Sequence, residues 1–420
     1  VKFFFFLFFA PFKEKMSLHT VGSDATYILP ASMDSIPESF RSNRSAKPIP
    51  CVLQTVNIPS LSGSAGASGT SVIQIPCGAS AGIMVNPYLI FTVNQTCADA
   101  TTYFKGAAGC ASACINRLST YVNSVQVDNI QNADQVYDVL FSHSTSQNWL
   151  AYDAKTLMYA RAALASATDY QVVVPLIGLL GSQQAFPLYL INGQLQIQID
   201  WNTLARSLWN ATAAPTAIAF SNVQLVYDRL QPEQAFIDSV RGQMMQGQNF
   251  VYAYTNYQSV PKVSAANSTF NYGLNVSSLR GVIQSSVLTA DLSSGKAAGY
   301  SLVNGLTQFR VSLDGRMVNS NTLNAVTTPA LCFAEAQKCL SRVFDASITD
   351  MNDNATYLTQ GFFVGTSAQR VNEGLAFAGS PVSVVSVETS AAGATFTDFL
   401  LFICDYQLLV DASGSVQLVR

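Results

Sequence analysis

Gly78-Ala79-Ser80-Ala81-Gly82 fits the G-x-S-x-G spacing that presents a nucleophilic serine in hydrolases. That chemistry holds the serine on a strained turn between a strand and a helix, and a histidine must take its proton. The residues after Gly82, IMVNPYLIFTV, read instead as a strand and include Pro87. Of the two histidines, His19 and His143, only His143 follows the serine, and it lies beside a helical stretch. The pentapeptide is expected to be a turn of small residues, and no catalytic residue is assigned.

The eight cysteines stand at positions 51, 77, 97, 110, 114, 332, 339 and 404. Cys110 and Cys114 are spaced C-x3-C, and Cys332 and Cys339 C-x6-C, neither being the paired C-x2-C of a zinc ribbon. A chain of this length needs no disulfide staples to hold a core, so buried free thiols are expected. Asp350 and Asp353 could offer oxygens to a cation, but their spacing fits no calcium loop and a solvated turn is expected. The glycine-rich GSAGASG (63–69) lacks the Lys and Ser/Thr of a phosphate loop and reads as a flexible connection. The aromatics of FVYAYTNY (250–257) have no neighbouring cations to hold a nucleic acid, so packing in a core or interface is expected. No metal, cofactor or catalytic site is assigned.

Composition narrows the function classes. The chain is 49% hydrophobic but only 11% charged, against about 25% charged in an ordinary domain. Ser, Thr, Asn and Gln supply the polarity, giving a surface that repels its neighbours weakly and suits packing against copies of itself. A net charge of −3 with scattered basic residues gives no grip on phosphate, so no direct nucleic-acid binding is expected. No apolar run approaches the ~20 residues of a membrane-spanning helix. Six Asn-x-Ser/Thr sequons, at Asn43, Asn94, Asn210, Asn267, Asn275 and Asn354, are about what so Asn-, Ser- and Thr-rich a chain produces by chance. The opening VKFFFFLFFAPFKEKM has a basic start and an apolar run but a poor cleavage site. Residues 1–15 are therefore read as upstream sequence, with Met16 as the expected start.

After about Pro48 the chain is a succession of short β-branched and aromatic runs divided by Gly, Pro, Asn and Ser. Runs at 51–59, 71–76, 88–93, 118–127, 170–180 and 221–230 read as strands. LYLINGQLQIQIDW (188–201) reads as a hairpin turning at Asn192-Gly193. Helices are expected at 131–141, 232–245 and 330–344, the last placing Cys339 in the core. Strands resume at 250–257, 309–318, 357–365, 380–389 and 398–419. An ordered similarity links the halves. LSTYVNSVQVDN leads to the first helix much as FRVSLDGRMVNSNTL leads to the third, and NVQLVYD (222–228) matches DYQLLVD (405–411). This indicates two copies of one β domain meeting near 231–249.

With these features in place, the chain resembles a double jelly-roll major capsid protein of double-stranded DNA viruses, of the adenovirus-like lineage and the polinton-like virus and virophage type. The stretches that carry the resemblance are residues 106–141, 170–201 with Pro187-Leu188, 221–233, 278–287 and 405–419, in that order. The cysteine-rich loop from Cys97 to Cys114 departs from the pattern. The resemblance implies an all-β fold of two consecutive eight-stranded jelly rolls with short helical inserts and two separate cores. The expected division is an N-terminal extension (1–49), a first jelly roll (50–230), a connecting helix and linker (231–249) and a second jelly roll (250–420). It implies further that three chains form a pseudo-hexagonal capsomer and that capsomers tile an icosahedral virion shell assembled inside the host cell. Partners would be the chain itself and penton and minor capsid proteins. The alternative class is a secreted two-domain β-sandwich for glycan binding or adhesion, which would require bridged cysteines and occupied sequons.

Overall fold

The computed structural model describes residues 27–28, 51–99, 101–143, 145, 149–181, 185–264, 266–318, 322–340, 354–369, 379–391 and 395–420. Met16, the segment 1–15 and the Asp350/Asp353 pair lie outside them. Of the N-terminal extension, Tyr27–Ile28 is described; it pairs in parallel with Asn249 and Phe250.

Eight strands build the first half: β1 (Cys51–Pro59), β2 (Thr70–Pro76), β3 (Ile83–Thr96), β4 (Ile115–Val122), β5 (Val125–Gln131), β6 (Asp169–Pro175), β7 (Gln194–Trp201) and β8 (Ala217–Pro232). They form two sheets in the orders β1-β8-β3-β6 and β2-β7-β4-β5. Consecutive strands alternate between sheets as a jelly roll requires. The alternation of QLQIQIDW explains why β7 sits at the centre of its sheet. Leu195, Ile197, Ile199 and Trp201 face inward and are buried, while the intervening residues are less so. Trp201 stacks on Phe220 of the opposite sheet, with ring centroids 4.1 Å apart, and donates from Nε1 to Ser71 Oγ at 2.9 Å. The β4–β5 hairpin turns at Asn123 and Ser124, whose φ angles of 49° and 67° match the twist of paired strands.

The second half repeats the order with β9 (Asn249–Val263), β10 (Asn267–Leu288), β11 (Gln308–Leu313), β12 (Arg316–Met317), β13 (Phe363–Ser367), β14 (Ser380–Ser390), β15 (Phe396–Val410) and a closing β16 (Val416–Val419). Here one strand serves both sheets. Asn267–Gly273 of β10 pairs with β14, whereas Leu279–Leu288 pairs with β15 and Gly281–Ser285 with β13. Register shifts between Gly273 and Leu279, with Asn275 at φ 50°, mark the crossing. The resulting orders, β9-β15-β10-β13 and β10-β14-β11-β12, match the first half position for position. The β11–β12 turn at Asp314-Gly315 again has two positive φ angles.

The helices fall where their periodicity placed them. Helix α1 (Ala133–His143) follows β5, α2 (Gln234–Met245) joins the halves, and α3 (Pro329–Cys339) follows β12, the counterpart of β5. In α2, Ile237 and Met244 pack on Tyr189, Leu190 and Val410. Proline opens α3 where its missing N–H costs nothing.

Several expectations need correction. Leu188–Leu190 is a 3-10 turn, and Asn192-Gly193 joins no strand pair. Every residue from Phe186 to Ile191 is buried because this corner is the floor beneath α2, so the alternation of a strand is missing there. Asn354–Thr359 is a helix, and the strand expected from 357 begins at Phe363. The glycine-rich connection contains a short strand, Ser64–Gly66, paired with β8. Pro87 does not break β3, because Asn86 at φ 51° and a register shift against β8 absorb it as a bulge. The two cores are not separate: one apolar cluster runs from Ile73 in the first roll to Leu408 in the second. The reason is the seam between the rolls.

Candidate functional site: the joint between the two jelly rolls

The joint is built from β5, α1 and three loops of the first roll against β9 and two loops of the second. Strand β9 lays Tyr252, Tyr254 and Asn256 along one side, all buried. Tyr252 meets Phe186 edge-on at 5.2 Å, and Tyr254 donates from its hydroxyl to Val127 O at 2.8 Å. Asn256 donates from Nδ2 to Asp128 Oδ1 at 2.5 Å, and Leu179 N–H donates to Asp128 Oδ2 at 2.7 Å. Gly178 makes the second contact possible: its φ is +77°, and a Cβ there would lie 2.7 Å from the carboxylate. Burial pushes the Asp128 carboxyl up to about 7, against the pull of these donors.

A second cluster lies beyond α1. Asp138 accepts from Ala107 and Ala108 N–H at 3.1 and 2.8 Å, and burial raises its pKa to about 6. Neighbouring Lys105 crosses the seam and donates to the carbonyls of Asp291 and Ser294. Burial lowers this lysine to about 8. Asp134 pairs with Arg206 at 2.7 Å, and the guanidinium carbon lies 5.7 Å from the centre of the Phe399 ring in the second roll. Backbone bonds Gly106 N to Ala298 O and Asn210 N to Gly295 O stitch the same side. At the opposite end Asn123 Nδ2 and Asn192 N both donate to Gly414 O.

This arrangement binds one half of the chain to the other and has no open cleft between its polar groups. A small cavity lined by Lys105, Asp134, Asp138 and Arg206 is the size of a water. Among the described residues, no group of His, Cys, Asp and Glu is arranged to hold a metal.

The residues singled out for chemistry disperse over the fold. Ser80 is exposed on the turn between β2 and β3, so its motif has a strand, not a helix, on its far side. His143 is buried at the end of α1, with its ring 3.8 Å from that of Phe363 in the second roll. Burial lowers its pKa to about 3, which keeps the imidazole neutral. All eight cysteines are free thiols, six of them buried. Cys339 packs against Gly281 and Gly365, in the core as its helical face required. Tyr252 and Tyr254 of the aromatic run pack in the joint. Sequence reasoning missed Lys105, Asp128, Asp138 and Arg206. The only trace of them is charge inside small or apolar stretches, such as FKGAAG and VQVDNI.

No family model and no curated protein matches the chain significantly. Solved structures do. A chain of the PBCV-1 virus capsid superposes with a TM-score of 0.61 at 11% identity, covering 90% of this chain and 99% of that one. The major capsid protein of Faustovirus gives 0.60 at 8% identity, covering 90% and 92%. The mavirus major capsid protein gives 0.54 at 11% identity, covering 97% and 94%. Strand orders and superpositions agree: the architecture of this chain is the double jelly roll seen in those viral capsid chains.

Proposed function

We propose that the chain is a structural coat protein: three copies close into a pseudo-hexagonal capsomer of six jelly rolls, and capsomers tile an icosahedral shell around a double-stranded DNA genome. The observation that carries this reading is the rigid coupling of two like rolls, in a fold shared over at least nine-tenths of the chain with viral capsid structures. A unit that repeats itself once internally needs one further kind of contact to make a ring. The boundaries 50–230, 231–249 and 250–420 then delimit the two building blocks and their connector. The scarcity of charge, with a net of −3, suits a wall that does not neutralise phosphate itself. Penton and minor capsid proteins would complete the shell, the chain would reside in the virion, and it would have no catalytic activity.

The glycan-binding alternative loses support at Asn210. That sequon asparagine is buried, and its Oδ1 accepts from Thr212 and Ala213 N–H. A glycan there would dismantle the loop. Electron microscopy of the purified protein tests the proposal. Trimers of pseudo-hexagonal outline are the expected result, and a dispersed monomer under assembly conditions would overturn it.

A further inference from the structure

The two elements that make the joint each have a counterpart in the other roll, and both counterparts are left open. Strand β9 ends its sheet in the second roll and buries Val251 and Tyr252 at 0% and 1% exposure. Strand β1 ends the matching sheet in the first roll, yet its Val52 and Leu53 are 68% and 64% exposed. These neighbours point to opposite sides of the strand, so both sides of its leading end are bare. The other half of the joint repeats the contrast. In β5, Val127 and Asp128 are buried beneath β9, whereas in β12 both residues are exposed. Met317 of β12 is 50% exposed, and Val326 in the loop before α3 is 61% exposed.

One chain therefore has an unused strand of the β9 kind at one end and an unused hairpin of the β5 kind at the other. We infer that the joint is made a second time, between copies of this chain, with β1 of one copy seated against the β12 side of the next. The inference rests on the coat-protein reading and specifies its contact. The occupant is a second copy because the only surface shown to receive such a strand is the β5 side of a jelly roll, and the free version of that side lies on this same chain. The contact is heterologous, so each copy both gives and receives it, and such contacts close into rings when the rotation per copy allows. Exposed apolar residues stand on both partners, and their removal from water would favour the contact.

The test uses the full chain and sedimentation velocity over a concentration series, with thermal unfolding measured alongside. Leu53→Asp and Met317→Asp each place a charge in the inferred contact. Val52→Lys probes the same strand should Leu53→Asp fail to fold, and Tyr152→Asp places a charge on an exposed residue outside both elements. Wild type and Tyr152→Asp are expected to assemble alike. The contact variants should unfold as wild type does but dissociate with a constant raised about tenfold or more. Contact variants that assemble as wild type does, or a Tyr152→Asp variant that weakens assembly equally, would overturn the inference while leaving the coat reading intact. A wild-type chain that stays monomeric at every concentration would overturn both.

Discussion

Asp128 is a carboxyl buried at the centre of the joint with donors on both oxygens, and its protonation links pH to stability. Its folded pKa of about 7 lies above the model value of 3.8. Between those values the folded chain holds a proton that the unfolded chain has lost. The contribution of this group to stability is therefore greatest in acid, falls as pH rises from about 4 through 7, and is constant above. Asp138 acts in the same direction up to about pH 6. His143 opposes them: its folded pKa of about 3 lies below its ordinary 6.5, so its contribution is lost as pH falls between those values. Denaturant titrations of Asp128→Asn should show a smaller loss of stability between pH 6 and 8 than wild type shows. An unchanged pH profile would refute the assignment. Asp128→Ala leaves the Leu179 and Asn256 donors without their acceptor and should cost about 1–3 kcal/mol for each. Gly178→Ala should destabilise as well, since its φ of +77° and its contact with Asp128 both exclude a side chain.

Helix α3 shows an element seated by what its neighbours lack. A Cβ on Gly281 would come within 2.9 Å of Cys339 Cβ, and one on Gly365 within 3.0 Å of its sulfur. Gly281→Ala should therefore push the helix off the sheet and cost about 1–3 kcal/mol, read as a shift in denaturant midpoint. A midpoint equal to that of wild type would show that the helix has room to move. Elements of this kind separate what was legible in the sequence from what was not. Strands with alternating burial, such as β7, and helices with an entry signal, such as α2 and α3, announce themselves because their periodicity records one buried face. The corner at 186–191 misleads because it is buried on every side, which removes the period. The 354–359 helix is too short to display one. Nothing local encodes the joint: Asp128 and Asn256 stand 128 positions apart, and each looks like an ordinary polar residue in a strand. The doubled order of strand, turn, strand and helix was readable, and it fixed the architecture better than any single motif.

Across the whole molecule, the scarcity of charge that excluded a phosphate-binding role also shapes association. With 11% charged residues and a net of −3, copies have little long-range attraction or repulsion to screen. The assembly constant of wild type should change by less than about threefold between 0.1 and 0.5 M salt, measured by sedimentation. A steep salt dependence would point to ion pairs at the contact in place of the apolar faces of β1 and β12. The shared strand β10 has a different consequence, a mechanical one. Its 22 residues, at about 3.3 Å each, make a tie rod of roughly 70 Å that runs unbroken from one sheet of the second roll into the other. In the first roll the corresponding sheets are linked by the bend at 77–82. A lateral load on the molecule would thus be carried through the second roll by covalent backbone under tension, while the first roll would yield at its bend. The two halves, alike in topology, form a stiff member coupled to a compliant one.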